Sequence, residues 1–163
     1  MKLLIIGGGM YVSGRGTNTY GTVFPALLEA YKLNKIKDIA LVTTNLNSAQ
    51  SSKNIFSKLC KEMDLNIDLK IFPKNNNDED TILEALNEFK PDASIIVVPD
   101  HVHYEIALKV IKKGIHCLVA KPMTDKLKNA KVMYNEAIKA NVLGLVEFHK
   151  RFDESNILIK DQI

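Results

Sequence analysis

Apolar positions along this chain switch between two spacings in a regular alternation. Short runs rich in aliphatic and β-branched residues predict strands at Lys2–Ile6, Ile39–Thr43, Ile67–Ile71, Ser94–Val98, Ile115–Val119 and Val142–Val146. The first, fourth and fifth are nearly continuous apolar runs, as expected of strands covered on both faces. Between the runs the spacing lengthens to that of a helix face. Phe24, Leu27, Leu28 and Tyr31 trace one such face, with Pro25 in its first turn. Ile55, Leu59 and Met63 trace another, widened by Phe56 and Cys60. Ile82, Leu83, Leu86 and Phe89 form a third that Pro91 closes. Ile106, Ala107, Val110 and Ile111 form a fourth, with Gly114 placed as a C-terminal cap. Thr124 stands where it would cap a last helix carrying Leu127, Ala130, Met133, Tyr134, Ala137 and Ile138.

Strands alternating with helices predict an α/β fold, a doubly wound parallel sheet of about six strands with right-handed crossovers and helices on both faces. Such a sheet binds its ligand at the carboxyl ends of the strands, beside the first. The polar segment Lys74–Asp80 reads as a surface loop and receives no chemistry. From His149 onward the pattern leaves the sheet, and Ile157, Leu158, Ile159 and Ile163 have no evident place to bury. Residues 1–148 are therefore expected to form one domain. Residues 149–163 are expected to begin a substrate domain that is otherwise absent, so the chain reads as truncated, a proteolytic remnant or a shortened gene product.

Composition narrows the function without choosing it. Of 163 residues 46% are hydrophobic and 25% charged, ordinary values for a globular chain. The net charge of +3 comes from dispersed lysines, with arginine only at Arg15 and Arg151, so nothing points to nucleic acid. Cys60 and Cys117 stand apart, with no CxxC pair and no Cys/His cluster; they read as buried reduced thiols, and no metal site is expected. No apolar stretch reaches the length of a membrane span and no signal peptide opens the chain, so the expected location is the cytoplasm, away from membranes.

The stretch "LLIIGGGMYVSGRGTNTYG" carries the first chemical signal. A turn after the first strand must bring backbone N–H groups close to a phosphate, and glycine leaves room for that approach. Gly7 and Gly9 supply the first two positions of G-x-G-x-x-G, with Met10 directly after, while the third position falls on Val12. Counting back from the helix "FPALLEAYKL" suggests that Met10–Tyr20 is an inserted segment, longer by roughly eight residues than the usual spacing. Within it Arg15 and the hydroxyls of Ser13, Thr17 and Thr19 are candidates to reach a phosphate or a substrate. The predicted domain is thus a Rossmann-like nucleotide binder. At the end of the second strand an NAD site usually places an acid for the ribose hydroxyls. Here stand Thr43, Thr44 and Asn45. Neutral side chains leave room for a 2′-phosphate and lean the choice between NAD and NADP toward NADP, although no arginine stands there to hold it.

The second half, "VVPDHVHYEIALKVIKKGIHCLVAKPMT", resembles the Gfo/Idh/MocA family of NAD(P)-dependent oxidoreductases. The matching elements are Pro99 with His103, Gly114 with His116, and Ala120-Lys121-Pro122; "VEFHKRFDES" resembles the family's crossing into its substrate domain. The resemblance implies hydride transfer to or from a sugar, nucleotide-sugar or cyclitol, a small sugar-like substrate, with Lys121 as the catalytic residue beside the nicotinamide. It implies cofactor contacts from Gly7, Gly9, Met10, Thr43, Thr44, Asn45, Pro99, His103, Lys121 and Pro122. His103 is expected either near the cofactor or as the cap of the following helix. The Lys121–Pro122 bond is a candidate cis bond. Asp100 and His101 read as exposed turn residues, His116 as a packed one, and His149 and Arg151 as hinge residues or substrate-cleft residues. The family's acid before the lysine is Ala120 here, and its C-terminal catalytic His and Asp lie outside this chain. The shortened chain is therefore expected to be inactive alone. A non-enzymatic dinucleotide sensor is the alternative reading, and a homo-oligomer is compatible with either.

Overall fold

The computed structural model describes residues 1–75 and 80–162. Six strands, β1 (Lys2–Ile6), β2 (Asp38–Val42), β3 (Leu69–Phe72), β4 (Ala93–Ile96), β5 (His116–Ala120) and β6 (Gly144–Glu147), pair in the order β3-β2-β1-β4-β5-β6. All pairs are parallel, and Ile5 of β1 faces Leu41 on one side and Ile95 on the other. The helices are α1 (Met10–Ser13), α2 (Val23–Lys32), α3 (Leu46–Glu62), α4 (Thr81–Phe89), α5 (His103–Lys112), α6 (Leu127–Lys139) and α7 (Glu154–Lys160). Of the polar segment Lys74–Asp80, residues 76–79 lie outside the described residues.

The sheet divides two cores. Helices α2 and α3 cover one face, where Phe24 and Phe56 meet edge-on with ring centroids 5.1 Å apart among Leu3, Ile5, Leu28 and Leu41. Helices α4, α5 and α6 cover the other, where Leu4, Ile6, Ile96 and Val119 pack with Phe89 and Val110. Because β1 is central, Leu3 through Ile6 are all buried, which explains its unbroken apolar run. Both cysteines are buried and free, and burial pushes the Cys117 thiol up to about 11.

Two strands begin two residues later than the apolar runs suggest. Val142 donates its N–H back to the Ala137 carbonyl at 3.0 Å, after Asn141 turns through a positive φ of 52°. It therefore closes α6, and β6 starts only at Gly144. The third strand likewise runs Leu69–Phe72 rather than Ile67–Ile71, since the Ile67 carbonyl faces the Cys60 sulfur at 3.9 Å instead of a strand. Thr124 is not a helix cap: Lys126 holds that position, and the Thr124 hydroxyl donates to Asp125 at 3.1 Å. His116 is exposed rather than packed, its Nδ1 accepting the Leu143 N–H at 3.0 Å.

The largest correction concerns the glycine stretch. Helix α1 starts directly after Gly9, so the turn itself has ordinary length. The helix runs a single turn, stops at Gly14 with φ of 71°, and resumes as α2 at Val23. The extra residues therefore follow the first helical turn instead of lengthening the loop. They are tied down tightly. Gly14 N–H donates to the Met10 carbonyl at 2.8 Å, Thr22 N–H to Tyr11 at 2.7 Å, and the Thr17 hydroxyl to Gly14 at 2.7 Å. At Gly21 a Cβ would come within 2.7 Å of both the Gly14 nitrogen and the Val12 carbonyl carbon.

Gly7 and Gly9 have opposite reasons to be glycine. Gly7 has φ of 108°, and a Cβ there would lie 1.9 Å from the Val97 carbonyl oxygen. Gly9 has an ordinary φ of −76° and nothing within 4 Å of where its Cβ would stand. Gly7→Ala should therefore cost about 3 kcal/mol or more of stability, combining strain and overpacking. Gly9→Ala should cost less than about 1 kcal/mol as a helix N-cap change. Urea unfolding of the two variants checks the contrast.

Candidate cofactor and substrate site

The carboxyl ends of β1, β2 and β4 open into a cavity of about 590 Å³. Its floor is the glycine turn, and Met10, Thr43, Thr44 and Pro99 stand on its walls as the sequence suggests. The turn is shaped from beneath. The Ser13 hydroxyl donates to the carbonyls of Gly8 and Gly9, each at 3.2 Å, and the Ser52 hydroxyl to Gly8 at 3.3 Å. Ser13 is thus committed to the turn's backbone, and Thr17 and Thr19 bond each other at 2.8 Å away from the cavity. Of the four candidate groups in that stretch, Arg15 alone lines the opening. The N–H groups of Met10 and Tyr11, which open α1, have no intrahelical acceptor. Open space over Gly9 together with these donors fits a dinucleotide phosphate.

At the end of β2 the side chains divide their duties. The Thr43 hydroxyl donates to the Asn45 carbonyl at 2.8 Å. The Asn45 side chain caps α3, accepting the Ser48 N–H at 2.9 Å, and it does not line the cavity. Thr44 and Ser48 remain on the wall. The wall also holds Tyr11, Asp80 and Ile82, none of which the sequence marked as a site residue. Asp80 caps α4, accepting from the N–H groups of Ile82 and Leu83 at 3.2 Å each, and pairs with Lys109 of α5. Partial burial works to raise its carboxyl, but the Lys109 hydrogen bond and charge and the two N–H groups outweigh it and hold the carboxyl below its usual range.

His103 is the first residue of α5 and makes no cap bond; it is a clamp. The buried ring places Nε2 2.8 Å from the Val98 carbonyl and Nδ1 2.8 Å from the Pro122 carbonyl. Carbonyl oxygens only accept, so the neutral ring donates its single N–H to one of the two, and the tautomer decides which. The imidazole stands between the end of β4 and the segment after β5. The Lys121–Pro122 bond there is cis. Lys121 itself is exposed and does not line the glycine cavity; it faces a second cavity of about 650 Å³ with Phe148, His149 and Arg151. Asp100 and His101 form an exposed 3-10 turn.

Ala120 lacks an acid, but a carboxylate stands beside it in space. Parallel register sets Ala120 against Glu147 of β6, so their side chains share a face. The Glu147 carboxylate lies 3.2 Å from His149 Nδ1 and hydrogen-bonds the Tyr11 hydroxyl. The Tyr11 phenol is accordingly pushed up, by burial first and then by the Glu147 charge and hydrogen bond. Tyr11 lines both the glycine cavity and a smaller apolar one, of about 220 Å³, that it shares with Ala120 and Glu147. The pairing of Tyr11 with Glu147 was not legible in the sequence, because the two lie 136 positions apart in the chain. Among the described residues no group of three or more His, Cys, Asp or Glu could hold a metal ion. No described helix is long and apolar enough to cross a membrane.

A six-stranded parallel sheet whose central strand ends in a glycine turn beneath an open crevice defines a dinucleotide-binding α/β domain. The chain belongs to the Gfo/Idh/MocA oxidoreductase family: that family's NAD-binding Rossmann fold matches residues 1–148. An uncharacterized oxidoreductase of Schizosaccharomyces pombe is 30% identical over 80 residues, which cover 49% of this chain and 22% of the yeast protein. Among solved structures, an NAD binding oxidoreductase from Klebsiella pneumoniae superposes with a TM-score of 0.72 at 19% identity, over 99% of this chain and 38% of its own. The WlbA dehydrogenase from Bordetella pertussis, in complex with NADH and UDP-GlcNAcA, gives 0.70 at 17% identity, over 99% and 38%. UDP-N-acetylglucosamine 3-dehydrogenase GnnA from Acidithiobacillus ferrooxidans gives 0.63 at 18%, over 99% and 43%. These likenesses share the fold, and the chain spans about two-fifths of the length of the solved proteins.

Two outcomes are expected from these contacts. His103→Leu removes the ring's hydrogen bond to a part-buried carbonyl and should cost about 1–3 kcal/mol, measurable by thermal unfolding. Asp80 has a folded pKa below its unfolded one, so its stabilisation is present above the unfolded value near about 4 and is lost as pH falls through the folded value. The stability gap between the native protein and Asp80→Asn should therefore be constant near neutrality and shrink in acid. Urea midpoints taken across that range check it.

Proposed function

We propose that this chain is the cofactor-binding part of a dehydrogenase that moves hydride between NAD(H) and an alcohol of a sugar, nucleotide-sugar or cyclitol. The observation that carries the reading is the open space over Gly9, at the mouth of a crevice sized for a small ligand, with Lys121 exposed at the end of β5. Gly7, Gly9 and Met10 receive the phosphates, Thr44 and Ser48 face the ribose side, and Pro99 closes the wall after β4. A bound nicotinamide dinucleotide supplies the hydride donor or acceptor. The Lys121 ammonium hydrogen-bonds the reacting oxygen and stabilises the negative charge that develops there. His103 and Pro122 keep that segment in place, and Glu147 provides the carboxylate that position 120 lacks. Asn45 contributes by capping α3 and thereby fixing Thr44. The family membership and the relatives that bind NADH or act on nucleotide-sugars support this reading.

NAD is the proposed cofactor. The lean toward NADP rests on neutral side chains at the end of β2, and the Thr43 hydroxyl is already engaged with Asn45. Residues 149–162 follow the last strand, and Leu158 and Ile159 of α7 are exposed.

Titrating the protein with NADH and NADPH, followed by nicotinamide fluorescence, tests the proposal. NADH should bind saturably and more tightly than NADPH, and Gly9→Val should weaken it by about tenfold or more while leaving the fold intact. Absence of NADH binding, or equal binding in Gly9→Val, would overturn the reading. Tighter binding of NADPH would reverse the cofactor assignment.

A further inference from the structure

Among the described side chains that line the cavity over the glycine turn, Asp80 is the one carboxylate and Arg15 the one cation. A carboxylate on the wall of a cavity that receives a diphosphate opposes the charge of its ligand. It becomes favourable where the part of the ligand that it meets donates a hydrogen bond.

Asp80 is fixed in place and still has room for such a donor. Its Oδ1 accepts the N–H groups of Ile82 and Leu83 at 3.2 Å each, and its Oδ2 meets the Lys109 ammonium. Partial burial works against ionisation, but the Lys109 and N–H contacts outweigh it, so the group stays charged and acts only as an acceptor. An ionised carboxylate offers about two acceptor positions on each oxygen. With Oδ1 filled and Lys109 on Oδ2, one position on Oδ2 is left.

Aliphatic side chains surround this acceptor. Lys109 and Ile106 lie three positions apart on α5 and share a face, which brings Ile106 beside the pair that Lys109 makes with Asp80. Ile82 of α4 and Ile106 both line the cavity, and both pack on the core beneath. This end of the cavity therefore joins apolar surface to a single fixed acceptor, a combination that suits the flat ring and polar edge of a nucleobase. Adenine carries a donor on that edge, its exocyclic amine. The other donors of a nicotinamide dinucleotide are its ribose hydroxyls and its nicotinamide amide. With the adenosine ribose at Thr44 and Ser48, and the nicotinamide directed to Lys121 in the other cavity, the adenine amine remains for Asp80.

We infer that Asp80 reads the base of the cofactor: Oδ2 accepts the exocyclic amine of adenine while Ile82 and Ile106 pack against the ring. Asp80 is thereby a specificity-determining residue that selects adenine over a base with a carbonyl at the same place, where two acceptors would meet. The inference rests on the proposed dinucleotide binding.

The test compares NADH with reduced nicotinamide hypoxanthine dinucleotide, which differs from NADH in the base alone, a carbonyl replacing the amine. Both are titrated into the 163-residue protein and followed by nicotinamide fluorescence. NADH should bind about tenfold or more tightly than the hypoxanthine dinucleotide. Asp80→Asn keeps an oxygen for the Ile82 and Leu83 N–H groups and presents an amide NH₂ where Oδ2 stood. In that variant the preference should vanish or reverse, with NADH weakened and the hypoxanthine dinucleotide bound more tightly. A merely structural role for Asp80 would weaken both ligands by one factor and leave their ratio as it was. Equal binding of the two by the native protein, or an unchanged ratio in Asp80→Asn, would overturn the inference and leave the dinucleotide reading standing. If neither ligand binds, the dinucleotide reading falls and the role of Asp80 falls with it.

Discussion

The approach of Gly7 to the Val97 carbonyl is the constraint on which the site depends. β1 pairs with β2 on one side and β4 on the other, and its chain must leave the sheet between them. The Gly7 N–H still bonds the Val42 carbonyl at 2.8 Å, while its α-carbon passes so close to Val97 that no side chain fits. The backbone then turns under the crevice instead of filling it. Any residue with a Cβ at position 7 would force β4 away from β1 and close the opening from below.

Around that opening the structure joins elements that are remote in the chain. The buried His103 ring stands between the end of β4 and the residues after β5, with a backbone carbonyl of each 2.8 Å from a ring nitrogen. Glu147 ties the end of β6 to Tyr11, which sits one residue past Met10 on α1. Both are polar contacts at the carboxyl edge of the sheet, where backbone groups run out of strand partners. The same shortage that demands these contacts leaves N–H groups and side chains free to meet a ligand. Stability and binding are served there by neighbouring groups rather than by the same ones.

The broken helix after the turn shows how extra length is accommodated without harming the site. A single turn of helix keeps Val12 buried where the usual third glycine would pack. Gly14 and Gly21 then bring the chain back beside that turn, with backbone bonds from Thr22 to Tyr11 and from Gly14 to Met10. The added residues place Arg15 at the mouth of the crevice and Tyr20 against Glu62 at the end of α3. Pairing with Glu62 anchors the loop to the far end of a helix that already packs on β3.

Hydrophobic period by itself determined the alternation of strands and helices, the parallel sheet and the place of the ligand edge, because burial on two faces of a strand and one face of a helix leaves a local mark in the chain. The turn at Gly7 and Gly9 was legible because a glycine cluster follows an apolar strand directly in sequence, whereas Lys121 stood out only through the resemblance of Ala120-Lys121-Pro122 to a family motif. The tertiary structure alone decided where the extra residues after Gly9 go, since a helix interrupted and resumed looks like a long loop in one dimension. It alone turned Asn45 into a cap, His103 into a clamp and Glu147 into the neighbour of Ala120. Those roles depend on which carbonyl or hydroxyl stands within hydrogen-bonding distance, and strand register, not sequence spacing, brings such groups together.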